Sequence, residues 1–265
     1  RELLLLSHSA RAAAALAQQA WTLVRSTPST AQAHGLPPMA YRSLTAVQPF
    51  AGGDLSSDGV LAAAVAARSF NREVILLILT SPMAAWGLNF VFGLHKQGYG
   101  HYLIASQTEQ HCQALGQAWS ALDHHQPAPP CGWATAVTHH PGWARWGLNG
   151  TVHRTALFTL RWYMSARLLD AGLNVLSLDL DGYMMADIYA VLRAPPMAQH
   201  DVVMTDVGFR RGVNCGFVYF NQVRVRALGL GSGLCLLRPD APWHARPNLG
   251  LGKFWRWPEP EQPQA

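Results

Sequence analysis

Three carboxylates lie close together in the segment NVLSLDLDGYMMADIY, residues 174–189. Asp179 and Asp181 follow the apolar residues 175–178, and Asp187 comes six residues later. If the predicted strand continues through Asp179 and Asp181, both point the same way, because alternate side chains of a strand share a face. Two converging carboxylates are costly unless a positive charge lies between them. A divalent cation that carries a diphosphate meets this need, since Mg²⁺ and Mn²⁺ prefer oxygen ligands.

The spacing of these acids is a weak signal by itself. Asp-x-Asp pairs occur by chance in many proteins, and the alternative interpretation here is a solvated loop that follows a strand. The elements predicted on either side of the motif therefore decide how it is interpreted.

Predicted strands and helices alternate from about residue 70 to residue 222. Residues 74–80 form a short apolar run that ends at Ser81 and Pro82, which is typical of a strand buried on both faces of a parallel sheet. The other strands are predicted at residues 102–105, 174–180, 202–205 and 213–221. Helices are predicted at residues 57–67, 84–97, 109–122, 155–171 and 188–193. This alternation indicates an α/β domain with a largely parallel sheet.

The carboxyl ends of the strands form the edge at which such sheets bind ligands. Thr80 and Ser81 end the first predicted strand, and Asp179 and Asp181 end the central one. We therefore expect these four residues to lie at one edge of the sheet.

The composition is that of a folded protein with a small charged fraction. Of 265 residues, 49% are hydrophobic and 13% are charged, so the bulk of the chain is not predicted to be disordered. The sequence predicts a helical and linker extension over residues 1–69, with an Ala-rich helix at residues 11–24. One domain over residues 70–227 and an irregular, partly disordered tail over residues 228–265 follow it.

The net charge of +5 comes almost entirely from scattered arginines. This distribution suits an anionic small substrate and not nucleic acid. No apolar run approaches the ~20 residues needed to span a bilayer. A processed or truncated product is one interpretation of a chain that begins at Arg1.

The cysteines and histidines do not predict another metal site. The four cysteines include no CxxC pair, so a zinc site of that type is not expected. Their even number permits disulfides, and free core cysteines are an equally open alternative. The pairs His124–His125 and His139–His140 would point to opposite sides of an extended strand, which argues against a shared site.

Three segments of the chain resemble the nucleotide-diphospho-sugar transferases of plants and algae, which include arabinosyl- and xylosyltransferases of cell-wall and extensin glycans. The segments begin NREVILLILTSPMAAWG, TALFTLRWYMSARLLDAG and HDVVMTDVGFRRGVNCG, and lie within residues 71–106, 155–189 and 200–221. The resemblance implies a GT-A-like nucleotide-binding sandwich. Its central sheet would be mainly parallel, with helices on both faces.

The resemblance also implies an activity and a location. It implies transfer of a pentose or hexose from a UDP-sugar to a hydroxyl of a glycan or glycoprotein acceptor, with Mn²⁺ or Mg²⁺ as the cofactor. Relatives of this type act in the Golgi lumen behind a type II membrane anchor. That anchor would be the one link to a membrane, and we expect it to be lost or absent here.

The positions that match the family motif suggest roles for five residues. Asp179 and Asp181 lie at the acidic metal motif, with Asp179 also near the donor nucleotide. Arg161 lies where relatives carry a basic residue near the diphosphate, although a surface arginine is the simpler interpretation. Thr80 and Ser81 match the edge that contacts the nucleotide.

Two further residues are candidates on the acceptor side. Asn214 and Gly216 fall in an Asn-x-Gly-Phe segment that lines the acceptor site in relatives, and Asn214 joins Asp181 and Asp187 as a catalytic candidate. A strand-edge asparagine and a β-bulge at Gly216 are the alternative interpretations. Asp187 matches an Asp that precedes a proline in relatives, but Ile188 follows here, so a helix cap is its alternative role.

The chain departs from the family pattern after residue 221. No Asp-Gln segment is present, and His244 matches the late metal histidine of relatives only by its position near the end. An inactive sugar-nucleotide-binding or scaffolding relic is therefore the alternative function. A hydrolytic phosphotransfer domain is a third hypothesis, but no Gly-rich loop lies between a strand and a helix.

Overall fold

The computed structural model shows a mixed α/β architecture. The description covers residues 43–122, 127–138, 154–181, 184, 187–194, 197–206 and 213–221. The strands are β1 (Glu73–Leu79), β2 (Tyr102–Ser106), β3 (Cys131–Trp133), β4 (Asn174–Leu178), β5 (Val202–Asp206) and β6 (Val213–Phe220). The helices are α1 (Asp58–Arg68), α2 (Ala84–Lys96), α3 (Glu109–Ser120), α4 (Thr135–Thr138), α5 (Arg154–Asp170) and α6 (Ile188–Leu192). Short 3₁₀ turns occur at Ser81–Met83 and Met197–Gln199.

Several sequence predictions fall on residues outside this description. They are the helix at residues 11–24, the histidine pairs His124–His125 and His139–His140, His244, and the tail at residues 228–265.

The six strands form one sheet in the order β3-β2-β1-β4-β6-β5. Strands β3, β2, β1 and β4 pair in parallel, whereas β6 is antiparallel to both β4 and β5. The sheet is therefore mixed, and the α/β class predicted from the sequence is confirmed. The exception at β6 follows from its connection, because only residues 207–212 separate β5 from β6 and a parallel crossover needs a dozen or more.

Every residue of β1 is buried, because helices cover both faces of the sheet. Ile75, Leu77 and Leu79 join a core cluster with residues of α2 and α3, and we call this side the α2–α3 face. The alternate residues of β1 join a second cluster with residues of α1 and α5, on the α1–α5 face. Strand alternation thus divides the core into two layers.

The direction in which strands are added reverses between β1 and β4. The chain passes from β1 to β2 and β3 on one side, then returns through α5 to place β4 on the other side of β1. The carboxyl ends of β1 and β4 therefore flank a topological switch point, the usual position of a ligand crevice in such sheets.

Residues 43–69, which the sequence assigns to an extension, pack against the sheet. Leu55 and Ala64 are fully buried, and Leu61 is nearly so. Arg68, at the end of α1, donates hydrogen bonds to the carbonyls of Gln48 (3.0 Å), Tyr102 (3.3 Å) and Gly100. These contacts join the described part of the extension to the connection before β2.

A disulfide between Cys112 and Cys131 links α3 to β3, with a Cα–Cα distance of 5.5 Å. The sequence was compatible with either disulfides or free core cysteines, and the structure shows a disulfide at this pair. Strand β3 lies where the sequence analysis predicts no strand. Its three residues are too few for a period-2 pattern to be recognised.

Two glycines with a positive φ follow the ends of helices. Gly98 follows α2 with a φ of +81°, and Gly172 follows α5 with a φ of +83°. This left-handed conformation closes a helix at little cost only for glycine.

We predict opposite effects for two buried serines. Ser177 in β4 is fully buried, and its hydroxyl has no hydrogen-bond partner among the described residues. Ser177→Ala should raise the free energy of unfolding by about 1 kcal/mol, because an unsatisfied buried hydroxyl is removed. Ser106→Ala is the matched control, since the Ser106 hydroxyl donates to the Thr108 carbonyl at 2.7 Å. It should lower stability by about 1 kcal/mol in urea unfolding, and equal effects of both changes would contradict the prediction.

Candidate functional site

The carboxyl ends of β1 and β4 bring Thr80 and Asp179 to the same edge of the sheet. The two strands pair in register from Glu73 opposite Asn174 to Leu77 opposite Leu178. Thr80 follows the end of β1, and Asp179 follows the end of β4. Both residues therefore lie at the switch point, as the sequence predicts.

The two acids of the Asp-x-Asp motif differ in their surroundings. Strand β4 ends at Leu178, and a turn begins at Leu180, so strand alternation does not fix the direction of Asp181. Leu180 is buried in the cluster on the α2–α3 face. The Asp179 side chain is 40% exposed, and Asp181 is exposed. The turn thus presents Asp181 to solvent beside the partly buried Asp179.

Arg161 in α5 forms an ion pair with Asp179 on the α1–α5 face. The arginine is only 6% exposed, so its interpretation as a surface residue is wrong. The guanidinium carbon also lies 5.9 Å from the centre of the Phe158 ring, one helical turn earlier. The protein itself therefore supplies a positive charge at the first acid of the motif.

The backbone of β6 contacts Asp179 directly. The amide of Asp179 donates a hydrogen bond to the carbonyl of Gly216 at 2.8 Å. The pairing of β5 with β6 shifts here, since Met204 lies opposite Val218 and Thr205 lies opposite Asn214. Gly216 thus lies at an irregularity of the strand pairing, where the sequence predicts a bulge, and bulges often adjoin functional sites.

Asn214 lies on the same strand two residues before Gly216 and opposite Thr205. Its backbone is therefore close to the edge that carries Asp179. Its catalytic role stays a prediction, because the orientation of its side chain lies outside the description.

Thr80 and Ser81 begin the turn that leads into α2. Thr80 is 3% exposed, and its carbonyl accepts a hydrogen bond from the amide of Met83 at 2.9 Å. Ser81 opens the 3₁₀ turn Ser81–Met83, and α2 begins at Ala84. A nucleotide at this edge would contact little of the buried Thr80 side chain.

Asp187 lies away from the other two acids. Its carboxylate accepts hydrogen bonds from the Tyr189 amide at 3.1 Å and from the Tyr99 hydroxyl. Tyr99 belongs to the connection between α2 and β2, which lies at the amino edge of the sheet. Asp187 therefore lies at the opposite edge of the sheet from Asp179, and the three acids do not form one site.

The alternative role of Asp187 as the cap of a short helix is confirmed. Asp187 is 8% exposed and occupies the N-cap position of α6. Burial, the hydrogen bond to Asp187 and its charge together raise the pKa of the Tyr99 hydroxyl. These contacts give Asp187 a structural function, and its placement lends no support to a catalytic one.

A buried histidine, which sequence reasoning missed, lies beside this capping residue. His101 Nδ1 is 2.5 Å from the Ser43 hydroxyl, and His101 Nε2 is 3.0 Å from the Tyr189 hydroxyl. Burial, helped by the charge of Arg68, lowers the pKa of His101 to about 3. Ser43 and His101 are fully buried, so this Ser–His pair has no access to a substrate. Because the two residues are 58 positions apart in the chain, they form no motif that sequence reasoning could detect.

Three properties of the described residues bear on this site. No group of three or more His, Cys, Asp or Glu side chains among them is arranged to hold a metal ion. A groove of about 630 Å³ between α1 and α5, lined by Asp58, Leu61 and Ala166 among others, contains none of the predicted site residues. None of the described helices combines the length and apolar character needed to cross a membrane.

Comparison with known proteins adds no relative. No protein-family model, curated protein or solved structure matches the chain. The geometry of the sheet edge is therefore the basis of the functional argument.

We predict that acid destabilises the fold through His101. Its folded pKa of about 3 lies below the ordinary value of 6.5, so between these pH values the unfolded chain binds more protons. Between pH 6.5 and about 3, the free energy of unfolding should fall by at most about 1.4 kcal/mol for each pH unit. Urea unfolding at pH 7, 6 and 5 measures this slope.

Two variants separate His101 from other acid-sensitive groups. His101→Gln should flatten the slope, whereas His111→Gln should preserve most of it, because His111 is only partly buried and its pKa is lowered by burial alone. An NMR titration in which the His101 ring protonates near pH 6.5 would contradict the assignment.

Proposed function

We propose that this chain is a metal-dependent glycosyltransferase domain of the GT-A type. Its reaction would move a pentose or hexose from a UDP-sugar to a hydroxyl of a glycan or glycoprotein acceptor. The proposal joins the resemblance of residues 71–106, 155–189 and 200–221 to the geometry of one sheet edge.

One observation carries the proposal. Thr80 and Asp179 follow the two neighbouring strands between which the strand order reverses. In open α/β sheets the crevice at this point is the usual ligand site. Helix α2 also starts at this edge after Ser81–Met83, and the amide groups at the start of a helix favour anions.

The acids at this edge fit a divalent cation that arrives with a substrate. Asp179 and Asp181 supply oxygen ligands, of which Asp181 is exposed and Asp179 is partly so. Mg²⁺ and Mn²⁺ are often bound by one or two carboxylates, with water and phosphate oxygens completing the shell. When bound, such a cation would neutralise charge on the departing diphosphate.

The protein's own groups would orient the donor. Arg161 places a positive charge beside Asp179, within the same edge of the sheet. The hydrogen bond from the Asp179 amide to the Gly216 carbonyl fixes the backbone of the metal motif against β6. A motif whose backbone is restrained loses less entropy when it binds a ligand, which is the basis of preorganised sites.

A location in the Golgi lumen is part of the same proposal. The disulfide between Cys112 and Cys131 supports it, because such bonds persist in oxidising compartments and are rare in the cytosol.

A sugar-nucleotide-binding relic without activity is a second candidate. The observation that favours it is the ion pair of Arg161 with Asp179, which balances the charge of this acid without a cation. A relic would bind the UDP-sugar but would transfer no sugar. Product analysis with a panel of UDP-pentoses and UDP-hexoses, after binding is established, separates the two candidates.

We predict that UDP binds to the full chain only with Mn²⁺ and that Asp181→Asn weakens this binding by about tenfold or more, the usual effect of losing one charged contact. Isothermal calorimetry with and without Mn²⁺ measures both effects. Asp187→Asn is the matched control. It should leave UDP binding unchanged and lower thermal stability, because its carboxylate caps α6 at the other edge.

Two results would contradict this prediction. If folded wild-type protein binds no UDP with or without Mn²⁺, the proposed nucleotide site is wrong. If wild type and Asp181→Asn bind UDP equally well, Asp181 is not a metal ligand.

A further inference from the structure

We infer that Arg161 couples the cation and the diphosphate, so that the site accepts the two together and disfavours the cation alone. The inference rests on the proposed function and specifies the charge state of the ligand for that site. It starts from the ion pair between Arg161 and Asp179, an acid that is also assigned to the cation.

The guanidinium of Arg161 cannot readily leave this position. Arg161 is 6% exposed, and its helix is anchored by the buried side chains of Leu160, Met164 and Leu168. The Phe158 ring lies 5.9 Å from the guanidinium carbon and favours a cation there. The positive charge of Arg161 therefore stays at the edge of the sheet whatever else binds.

A bare cation at Asp179 would share one carboxylate with this fixed positive charge. Two positive charges within a few ångströms repel each other, and a partly buried site weakens this repulsion less than water does. The arginine should thus lower the affinity of the edge for a cation alone, as a nearby like charge disfavours any charged group.

When a diphosphate binds together with the cation, Arg161 should raise the affinity of the site instead of lowering it. The oxygens of a diphosphate accept from guanidinium groups, and such charge-assisted hydrogen bonds are stronger than neutral ones. Arg161 would then move part of its interaction from Asp179 to the diphosphate and leave the carboxylate to the cation. By linkage, the cation raises diphosphate affinity by the same factor as the diphosphate raises cation affinity.

The test measures two affinities that should change in opposite directions. In the first measurement, the electron paramagnetic resonance signal of free Mn²⁺ reports binding of Mn²⁺ alone to the full chain. Arg161→Gln should bind Mn²⁺ about tenfold more tightly than wild type, the scale on which one neighbouring charge shifts a carboxylate. In the second, calorimetry with UDP in saturating Mn²⁺ should show about tenfold weaker binding by the same variant.

Two control variants accompany these measurements. Arg167→Gln removes an arginine of the same helix that pairs with Asp58, away from the Asp-x-Asp motif, and should change neither affinity. Arg161→Lys retains the charge and should keep the weak affinity of wild type for Mn²⁺ alone.

The opposite signs distinguish coupling from a structural role. A variant that merely damages the site would weaken both affinities, and that result would overturn the inference, as would unchanged or absent Mn²⁺ binding by Arg161→Gln. Failure of the proposed function appears separately, as a wild-type chain that binds no UDP in saturating Mn²⁺. In that case tighter Mn²⁺ binding by Arg161→Gln would still support the effect of Arg161 on the cation.

Discussion

The carboxylate of Glu73 is fully buried where β1, β4, β6 and the end of α6 meet, and the contacts of its Oε1 atom hold these elements together. Oε1 accepts hydrogen bonds from Asn174 and Tyr219, each at 3.0 Å, and forms an ion pair with Arg193. Oε2 has no hydrogen-bond partner among the described residues, so the contacts of Oε1 alone offset the burial. A buried carboxylate is costly unless such partners surround it. The contacts therefore select the register in which Glu73 lies opposite Asn174.

This register at the amino edge determines what meets at the carboxyl edge. With Leu77 opposite Leu178, the ends of β1 and β4 lie within two residues of each other, and Thr80 lies beside the segment that carries Asp179. A slip of one residue would turn Asp179 to the α2–α3 face and away from Arg161, because side chains alternate along a strand. The structural cluster around Glu73 and the candidate site are thus linked through a single pair of strands.

The local elements were predictable because their patterns repeat within a few residues. The buried strand before Thr80 and the helix that ends at Gly98 are recognisable from apolar periodicity and a terminal glycine. The direction of β6 and the existence of β3 were not, because pairing direction depends on connections and three residues carry no period. Packing of residues 43–69 likewise depends on distant partners, such as the carbonyls that accept from Arg68.

For the site, the sequence by itself determined that Asp179 and Asp181 follow a buried strand and that Thr80 follows another buried strand. Strand ends are local features, since they require only an apolar run and the residues that stop it. Only the tertiary structure decided that Arg161 pairs with Asp179 and that Asp187 lies at the opposite edge as a helix cap. These contacts depend on how α5 packs against the sheet and on where α6 lies after β4. Both positions are set by the burial of whole apolar faces and not by residues close in sequence.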